Sequence, residues 1–299
     1  MYNDAKKMSE EFLLSTWNEL KNDLYDGKVK YNDLGRLLSY TFLQQFDDMF
    51  KFMHEDNSIN LANINKLYRG VKQWKDNKNE YYKQDRFIPK KEYASLNRFN
   101  PPEEVFIYLG VDLENGKDNT NSLSNVELGC LKEIRAENGE KASLCEFKVK
   151  ESALNKKVID LTIGDQYSYE ELIREINQIL ILGELSRNLN RKYGNQISDM
   201  REYAKNSIKN KQGLNYKISK VMMKIYNKMI SDKIFLPIGD GNRECEYIPF
   251  HAFANYFKNQ GYAGIIYKST VSPGSKNLVL FNVQDVEPIG EINRIDVEY

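Results

Sequence analysis

The side chains best suited to chemistry in this sequence are arginine, tyrosine, glutamate and serine side chains in four short motifs. In chain order the motifs are Leu67-Tyr68-Arg69-Gly70; Leu96-Asn97-Arg98-Phe99-Asn100-Pro101-Pro102 with Ile107-Tyr108-Leu109; Cys130-Leu131-Lys132-Glu133-Ile134-Arg135-Ala136; and Tyr267-Lys268-Ser269-Thr270. Arginine is planar and permanently charged, so Arg69 and Arg98 have the chemistry needed to hold a pyrophosphate. Gly70 would allow the backbone to approach a ligand closely. For either arginine alone, a surface salt bridge is the simpler explanation.

Residue types that serve other kinds of site are scarce in this sequence. There are only 2 histidines, His54 and His251, and 3 cysteines, which form no CxxC pair. A metal centre or a serine–histidine–aspartate hydrolase would have to use one of these histidines. His251 follows Pro249 at a predicted helix start and is the better placed of the two. Neither GxGxxG nor GxxxxGK[ST] occurs, so any nucleotide must be held by side chains.

The overall charge favours no polyanionic partner. Lysine plus arginine and aspartate plus glutamate each total 43, so the net charge is zero. This argues against nucleic acid or an anionic membrane as partner. No apolar run approaches the roughly 20 residues that span a bilayer, and Met1–Glu10 has no signal-peptide core. We therefore expect a cytoplasmic protein.

Two amphipathic helices are predicted at the N-terminus, over Ser9–Leu24 and Asp33–Met53, with Asp33 as an N-cap. They form a predicted N-terminal helical extension over residues 1–60. Its apolar stripe must pack on the rest of the chain, on another copy or on a partner, and packing on its own core is the simplest of these. A homo-oligomer through these helices remains open.

From Ile64 onward the pattern changes to short strands and interleaved helices, which predicts an α+β fold. The predicted strands are Val105–Val111, Ala142–Val149, Lys157–Ile163, Ala263–Ile266 and Leu278–Phe281. Capping boxes at Ser124–Glu127 and Ser168–Glu171 begin helices that run to about Ala136 and Leu189. Further helices are predicted over Ile218–Ile230 and Pro249–Lys258. Glu133 is placed inside the helix that begins at Ser124–Glu127.

Taken in order, the four motifs resemble the RES family of NAD-degrading toxins, which is named for an arginine, a glutamate and a serine. The resemblance runs from about Leu67 to Gly290 and includes Asn277-Leu278-Val279-Leu280-Phe281 and Val286-Glu287-Pro288. It implies a mixed-sheet core like that of ADP-ribosyltransferases over residues 61–299, with a helical insertion at about 165–245. The segment 193–245 is longer than the resemblance requires.

The resemblance also implies the site residues, with NAD as substrate and no separate cofactor. It assigns catalysis to Glu133, Arg69 and Ser269, and NAD binding to three further side chains, Arg98, Tyr108 and Tyr68. Ser269 would orient either Glu133 or a ribose hydroxyl. Nicotinamide leaves as a neutral molecule, so positive charge develops on the ribose, and a carboxylate there stabilises it. Without the resemblance, Glu133 would be an ordinary helix-surface glutamate and Tyr108 a half-buried strand tyrosine.

The activity implied is cleavage of the nicotinamide–ribose bond by water or inorganic phosphate, in a toxin or defence effector restrained by a separate antitoxin. The alternatives are ADP-ribosyl transfer to a macromolecule and a nucleotide-sensing module without turnover. Three features depart from the family pattern: the long interval between Tyr108 and Glu133, the presence of Phe99, and Gly70 directly after Arg69. They put the shape of the pocket in question more than its charge pattern.

Overall fold

The structure is a computed structural model that describes residues 2–53, 55–73, 82–93, 96–101, 103–113, 123–193, 211–236 and 242–298. His54 and Pro102 lie outside these ranges. The α-helices of the described residues are α1 (Tyr2–Tyr25), α2 (Leu34–Leu37), α3 (Thr41–Met53), α4 (Asn125–Glu133), α5 (Tyr169–Tyr193), α6 (Lys211–Lys233) and α7 (Arg243–Asn259). The strands are β1 (Ser58–Asn60), β2 (Lys66–Lys72), β3 (Ile107–Asp112), β4 (Lys141–Val149), β5 (Lys157–Asp160), β6 (Gly264–Lys268), β7 (Lys276–Leu280) and β8 (Val286–Asp296). None of the helices in these ranges is long and apolar enough to cross a membrane.

All eight strands form one mixed sheet in the order β1-β5-β6-β7-β3-β2-β4-β8. The β5–β6 pair is parallel, and every other neighbouring pair is antiparallel. Helices precede this sheet and interrupt it between β5 and β6. The predicted α+β class with a mixed sheet is therefore confirmed.

The sheet opens between two neighbouring interior strands, β2 and β3. These strands pair only where Lys66–Tyr68 lies opposite Gly110–Asp112. Beyond this point β2 remains paired with β4 as far as Lys72, while β3 is paired with β7 from Ile107 onward. The two strands therefore part after Tyr68. Arg69 lies on one side of the opening and Tyr108 on the other.

The apolar stripe of the N-terminal helices packs on the chain's own core. The Trp17 ring makes edge contacts with Phe42 at 4.9 Å and with Phe250 of α7 at 5.0 Å between ring centroids. Leu13, Leu20 and further buried side chains of α1 and α3 belong to the same cluster. Of the three surfaces considered, the buried part of the stripe thus packs on the chain's own core, while Phe12 is 49 % exposed.

The helix predicted over Asp33–Met53 is broken, so that prediction was wrong. Asp33 is an N-cap as expected, since its Oδ1 accepts from the Arg36 amide at 3.2 Å. However, α2 ends at Leu37 and α3 begins at Thr41. The Ser39 hydroxyl donates to the Arg36 carbonyl at 2.6 Å, and the Tyr40 hydroxyl donates to Asp23 of α1 at 3.0 Å. These side-chain bonds compete with a continuous helix and hold the break against α1.

Helix α4 begins as predicted and ends earlier than predicted. The capping box is present: the Ser124 amide donates to Glu127 Oε2 at 2.9 Å, and the Ser124 hydroxyl accepts from the Glu127 amide at 3.4 Å. The helix stops at Glu133 because Arg135 turns into the left-handed region, with φ of 53°. The Ala136 amide then donates to the Leu131 carbonyl at 3.1 Å, which closes a Schellman-type end. Glu133 is therefore the last helical residue rather than an internal one.

Arg135 adopts a conformation that glycine would accept without strain. A non-glycine residue there costs about 1–2 kcal/mol, partly offset by the greater freedom of glycine in the unfolded chain. We expect Arg135→Gly to raise the free energy of unfolding by about 1 kcal/mol, measured by urea denaturation. Lys132→Gly, inside α4, is the control and should lower it by about 1 kcal/mol. A loss of stability in Arg135→Gly would contradict this explanation of the helix end.

Other element boundaries also differ from the sequence predictions. Helix α7 begins at Arg243 rather than Pro249, because the Asn242 side chain accepts from the Cys245 amide at 3.3 Å and caps it. Strand β5 ends at Asp160, whose carboxylate accepts from the Thr162 amide at 2.8 Å and starts a turn. Strand β6 ends at Lys268 and strand β7 begins at Lys276, so both lie closer to the loop between them than predicted. As a result Tyr267 and Asn277 are strand residues, paired directly opposite each other.

Candidate active site

The Glu133 carboxylate, at the end of α4, is held by two side chains from a distant part of the chain. Ser269 Oγ donates to Glu133 Oε1 at 2.7 Å, and Asn277 Nδ2 donates to the same oxygen at 2.5 Å. Within the described part of the chain, Glu133 Oε2 receives no hydrogen bond, and the Glu133 side chain is exposed. The carboxylate is thus oriented through one oxygen and presents the other to a ligand.

The direction of the Ser269 hydrogen bond follows from its other contacts. Ser269 Oγ accepts from the Val271 amide at 3.3 Å and from the Ser272 amide at 3.0 Å. A hydroxyl has a single hydrogen to donate, and backbone amides only donate, so that hydrogen goes to Glu133. Ser269 itself is 2 % exposed. This arrangement suits a residue that positions Glu133, as the sequence predicted for Ser269, and does not suit a nucleophile.

Helix α4 lies close to the loop after β6, which we call the serine loop (residues 269–275). A Cβ atom on Gly129 would lie 2.8 Å from Ser275 Oγ, closer than real side chains allow. Ser275 Oγ donates to the Asn125 carbonyl at 3.2 Å, and it lies 3.0 Å from Ser272 Oγ. Gly129 therefore lets the helix approach the loop. Because Glu133 is one helical turn further on, this contact sets its distance from Ser269.

Arg69 is a half-buried cation beside the opening between β2 and β3. Its Nη1 is buried without a hydrogen-bond partner in the described residues. Burial, and secondarily the positive charge of Arg86, lowers the pKa of Arg69 to about 10, while Tyr108 and Cys130 act to raise it. Arg69 therefore remains charged at neutral pH. None of the described acidic residues forms an ion pair with it, so a surface salt bridge does not explain Arg69. An anionic ligand would satisfy it.

Gly70 does not have the role that the sequence suggested for it. A Cβ atom there would lie 3.2 Å from the Cys130 carbonyl and 3.3 Å from the Ile134 side chain. The bare backbone at Gly70 thus accommodates helix α4 rather than a ligand. The adjacent Tyr68 packs partly buried against the same helix, and its carbonyl accepts from Cys130 Sγ at 3.4 Å.

Arg98 is held by neutral groups. Its Nη2 donates to the Leu236 carbonyl at 2.9 Å, and its Cζ lies 5.3 Å from the centre of the Phe250 ring. In the described chain no carboxylate pairs with it. Asn97 precedes Arg98, and its carbonyl lies 3.0 Å from His251 Nε2. This contact fixes the position of Asn97. Burial lowers the pKa of His251, so this histidine is neutral at pH 7 and supports the Arg98 loop.

Tyr108 fastens the same loop from the opposite side. Its hydroxyl donates to Asn100 Oδ1 at 3.0 Å and accepts from the Phe99 amide at 3.0 Å. Burial raises the pKa of Tyr108 well above its usual value, and the charge of Arg98 acts against this rise. The hydroxyl is thus neutral and engaged in holding the loop. Phe99, which departs from the family pattern, is fully buried and contacts the Tyr267 ring at 5.0 Å.

The structure brings the predicted residues together to different degrees. Glu133 and Ser269 are in contact, and Arg69, Arg98 and Tyr108 are linked by mutual electrostatic effects. Sequence reasoning missed Asn277, although it lies in a quoted motif. An amide directly before the apolar run Leu278–Leu280 was the available signal, because polar residues within central strands are uncommon unless they have a partner.

Glu133 and its two hydrogen-bond donors are the centre of the candidate site. No described group of three or more histidine, cysteine, aspartate or glutamate side chains could hold a metal ion. Comparison with known proteins bears on part of this site. Residues 233–297 match the RES domain, a family associated with NAD-degrading toxins. No curated protein and no solved structure matches the chain. The matched segment contains Ser269 and Asn277, whereas Arg69, Arg98, Tyr108 and Glu133 precede it. The resemblance to the RES family is thus confirmed for residues 233–297.

Proposed function

We propose that this protein consumes NAD by cleaving its nicotinamide–ribose bond. The observation that carries the proposal is the state of Glu133, which is held through Oε1 by Ser269 and Asn277 and has Oε2 open to a ligand. A carboxylate fixed in advance is the group this reaction needs. Nicotinamide departs neutral, and positive charge develops on the ribose only in the transition state.

Each hydrogen bond to Glu133 has a consequence for this chemistry. The donors on Oε1 keep the carboxylate in one orientation, so little reorganisation is required when charge appears on the sugar. They leave the negative charge in place, because both donors are neutral. Oε2 then accepts from a ribose hydroxyl or faces the developing oxocarbenium ion. Glu133 is the catalytic residue in this proposal, and Ser269 acts through it.

The two arginines supply the binding energy. Arg69 is positive, has a buried Nη1 without a hydrogen-bond partner and has no acidic partner in the described chain, so the pyrophosphate of NAD would supply the missing anion. Arg98 is oriented by the Leu236 carbonyl and the Phe250 ring, and its remaining N–H groups are available for a second contact with the pyrophosphate. Tyr108 and Tyr68 flank the opening, where their rings would pack against a base of the substrate.

The biological setting we propose is that of a toxin or defence effector. Residues 61–299 would form a core like that of ADP-ribosyltransferases, interrupted by a helical insertion at about 165–245. Support comes from the RES match and from the parting of β2 and β3, which opens the sheet beside Arg69. A separate antitoxin would restrain the activity. Water or inorganic phosphate would accept the ADP-ribosyl group.

One incubation with NAD tests the reaction. We expect the purified protein to release free nicotinamide together with ADP-ribose or, when phosphate is the acceptor, phosphorylated ADP-ribose, as measured by liquid chromatography and mass spectrometry. Turnover should be the same with and without a chelator. Arms with and without phosphate identify the acceptor. Any co-purifying polypeptide is removed first, because it could hold the enzyme inactive.

Two results would count against this function. Label from NAD recovered mainly on protein or nucleic acid would indicate ADP-ribosyl transfer to a macromolecule. NAD that binds but is recovered intact would indicate a nucleotide-sensing module. Chelator sensitivity reversed by a divalent ion would contradict the metal-independent reaction.

A further inference from the structure

We propose that Tyr267 is a positioning residue that orients Asn277, and through it Glu133, in the reaction proposed above. Tyr267 lies in β6 directly opposite Asn277 in β7. Directly paired residues of an antiparallel ladder point to the same face of the sheet, with Cβ atoms about 4.5–5.5 Å apart. The Tyr267 phenol and the Asn277 amide therefore lie next to each other on the same face of the sheet.

The paired register places the Tyr267 phenol within reach of the Asn277 amide, so that in this proposal the phenol oxygen accepts the second N–H of that amide. The Asn277 side chain also acts to lower the pKa of the Tyr267 phenol. Asn277 Nδ2 also donates to Glu133 Oε1 at 2.5 Å. A primary amide has two N–H bonds on one nitrogen, which is enough to serve the phenol oxygen and the carboxylate together. Because the amide is planar, fixing it at the phenol fixes the direction in which it donates to Glu133.

The Tyr267 ring is held firmly enough to act in this way. Its centroid lies 5.0 Å from that of Phe99 and 5.9 Å from that of Phe235, and the residue is 8 % exposed. Burial raises the pKa of Tyr267 well above its usual value, and the nearby groups Tyr108 and Glu133 add to this, while Arg98 and Asn277 oppose it. The phenol is therefore neutral across the physiological range, and it adds no charge that would compete with Glu133.

The same contacts distinguish Tyr267 from other buried tyrosines of the chain. Tyr256 is also fully buried, but its hydroxyl donates to Asp47 at 2.8 Å, among the helices. Removing either hydroxyl takes one hydrogen bond from the interior. Only the loss at Tyr267 would disturb the carboxylate at the candidate site. Tyr256→Phe is thus the matched control.

Steady-state kinetics with NAD are the first test. In Tyr267→Phe the ring remains and the hydroxyl is lost. We expect kcat to fall about three- to tenfold, the scale of one hydrogen bond, with KM for NAD changed less than twofold. Tyr256→Phe should leave both unchanged. In an Asn277→Ala background, Tyr267→Phe should have no further effect on kcat, because it acts through Asn277.

The second test does not depend on turnover. The side-chain amide NMR signals of Asn277, assigned by their loss in Asn277→Ala, should shift in Tyr267→Phe and stay in place in Tyr256→Phe. Unshifted signals would overturn the inference whatever the activity is. An unchanged kcat in Tyr267→Phe, or additive effects with Asn277→Ala, would also overturn it. Shifted signals in a protein that leaves NAD intact would support the contact and reject the proposed function instead.

Discussion

Glu133→Gln is expected to lower NAD turnover by about 10²–10³, the usual loss when one preorganised electrostatic contact to a transition state is removed. Glutamine keeps the shape of the side chain and an oxygen that can accept from Ser269 and Asn277, so the local packing should persist. The charge that stabilises the sugar cation is lost. NAD affinity should therefore change little, since that cation is absent from the bound ground state. Turnover is measured by release of nicotinamide and affinity by calorimetry.

Two glutamates near Glu133 serve as controls. Glu127 is engaged in the capping box of α4, and Glu137 is exposed after the helix end. Glu127→Gln and Glu137→Gln should affect stability at most and should leave turnover unchanged. Expression of Glu133→Gln should also be tolerated by cells in which the parent protein is toxic. Normal turnover in Glu133→Gln, or an inactive but folded Glu137→Gln, would refute the assignment of the site.

Arg69→Ala should weaken NAD binding by about 1.5–3 kcal/mol, roughly tenfold to 150-fold, which is the scale of a charged hydrogen bond. The reason is that Arg69 has a buried Nη1 without a partner and no acidic partner among the described residues, so its charge is available to the substrate. Arg69→Lys should restore binding only in part, because lysine cannot pair with two oxygens at once. Calorimetric titration with NAD measures both variants.

The free energy of unfolding distinguishes a substrate-binding role of Arg69 from a structural role. A structural arginine would destabilise the fold when it is replaced. Arg69 instead carries a half-buried charge whose buried Nη1 has no partner among the described residues, so Arg69→Met should keep the free energy of unfolding the same or raise it while NAD binding is lost. The control is Arg86→Ala, an exposed arginine whose charge acts on Arg69. It should not weaken binding. Unchanged NAD affinity in a folded Arg69→Ala protein would remove Arg69 from the site.

Sequence reasoning succeeded where the signal is local. Both capping boxes are present, at Ser124–Glu127 and Ser168–Glu171, because a capping box involves residues only three positions apart. The α+β class follows from local periodicity in the same way. The motifs also named Glu133 and Ser269 as candidate site residues, each from the short stretch of sequence around it. All of these predictions depend on residues that lie close together in the chain.

Other features were decided by contacts between distant segments. The strand pairing that places Tyr267 beside Asn277, the parting of β2 and β3, and the 11-residue strand β8 depend on which strands meet in the sheet. Helix α4 ends at Glu133 because Arg135 adopts a left-handed conformation. Glycine adopts this conformation at helix ends far more often than arginine. Local sequence propensity predicts neither the strand pairing nor the end of α4.

The sequence by itself determined the inventory of reactive groups in this protein: arginine, carboxylate, phenol and hydroxyl, with little histidine. Only the tertiary structure decided that Glu133 is oriented by Ser269 and Asn277, which are 136 and 144 positions away along the chain. It also decided that Arg69 has a buried Nη1 and no described acidic partner, and that Arg98 has a carbonyl and an aromatic ring as partners. The physical reason is that burial and hydrogen-bond partnership arise when the sheet and helices pack together, and a side chain's type does not specify either of them.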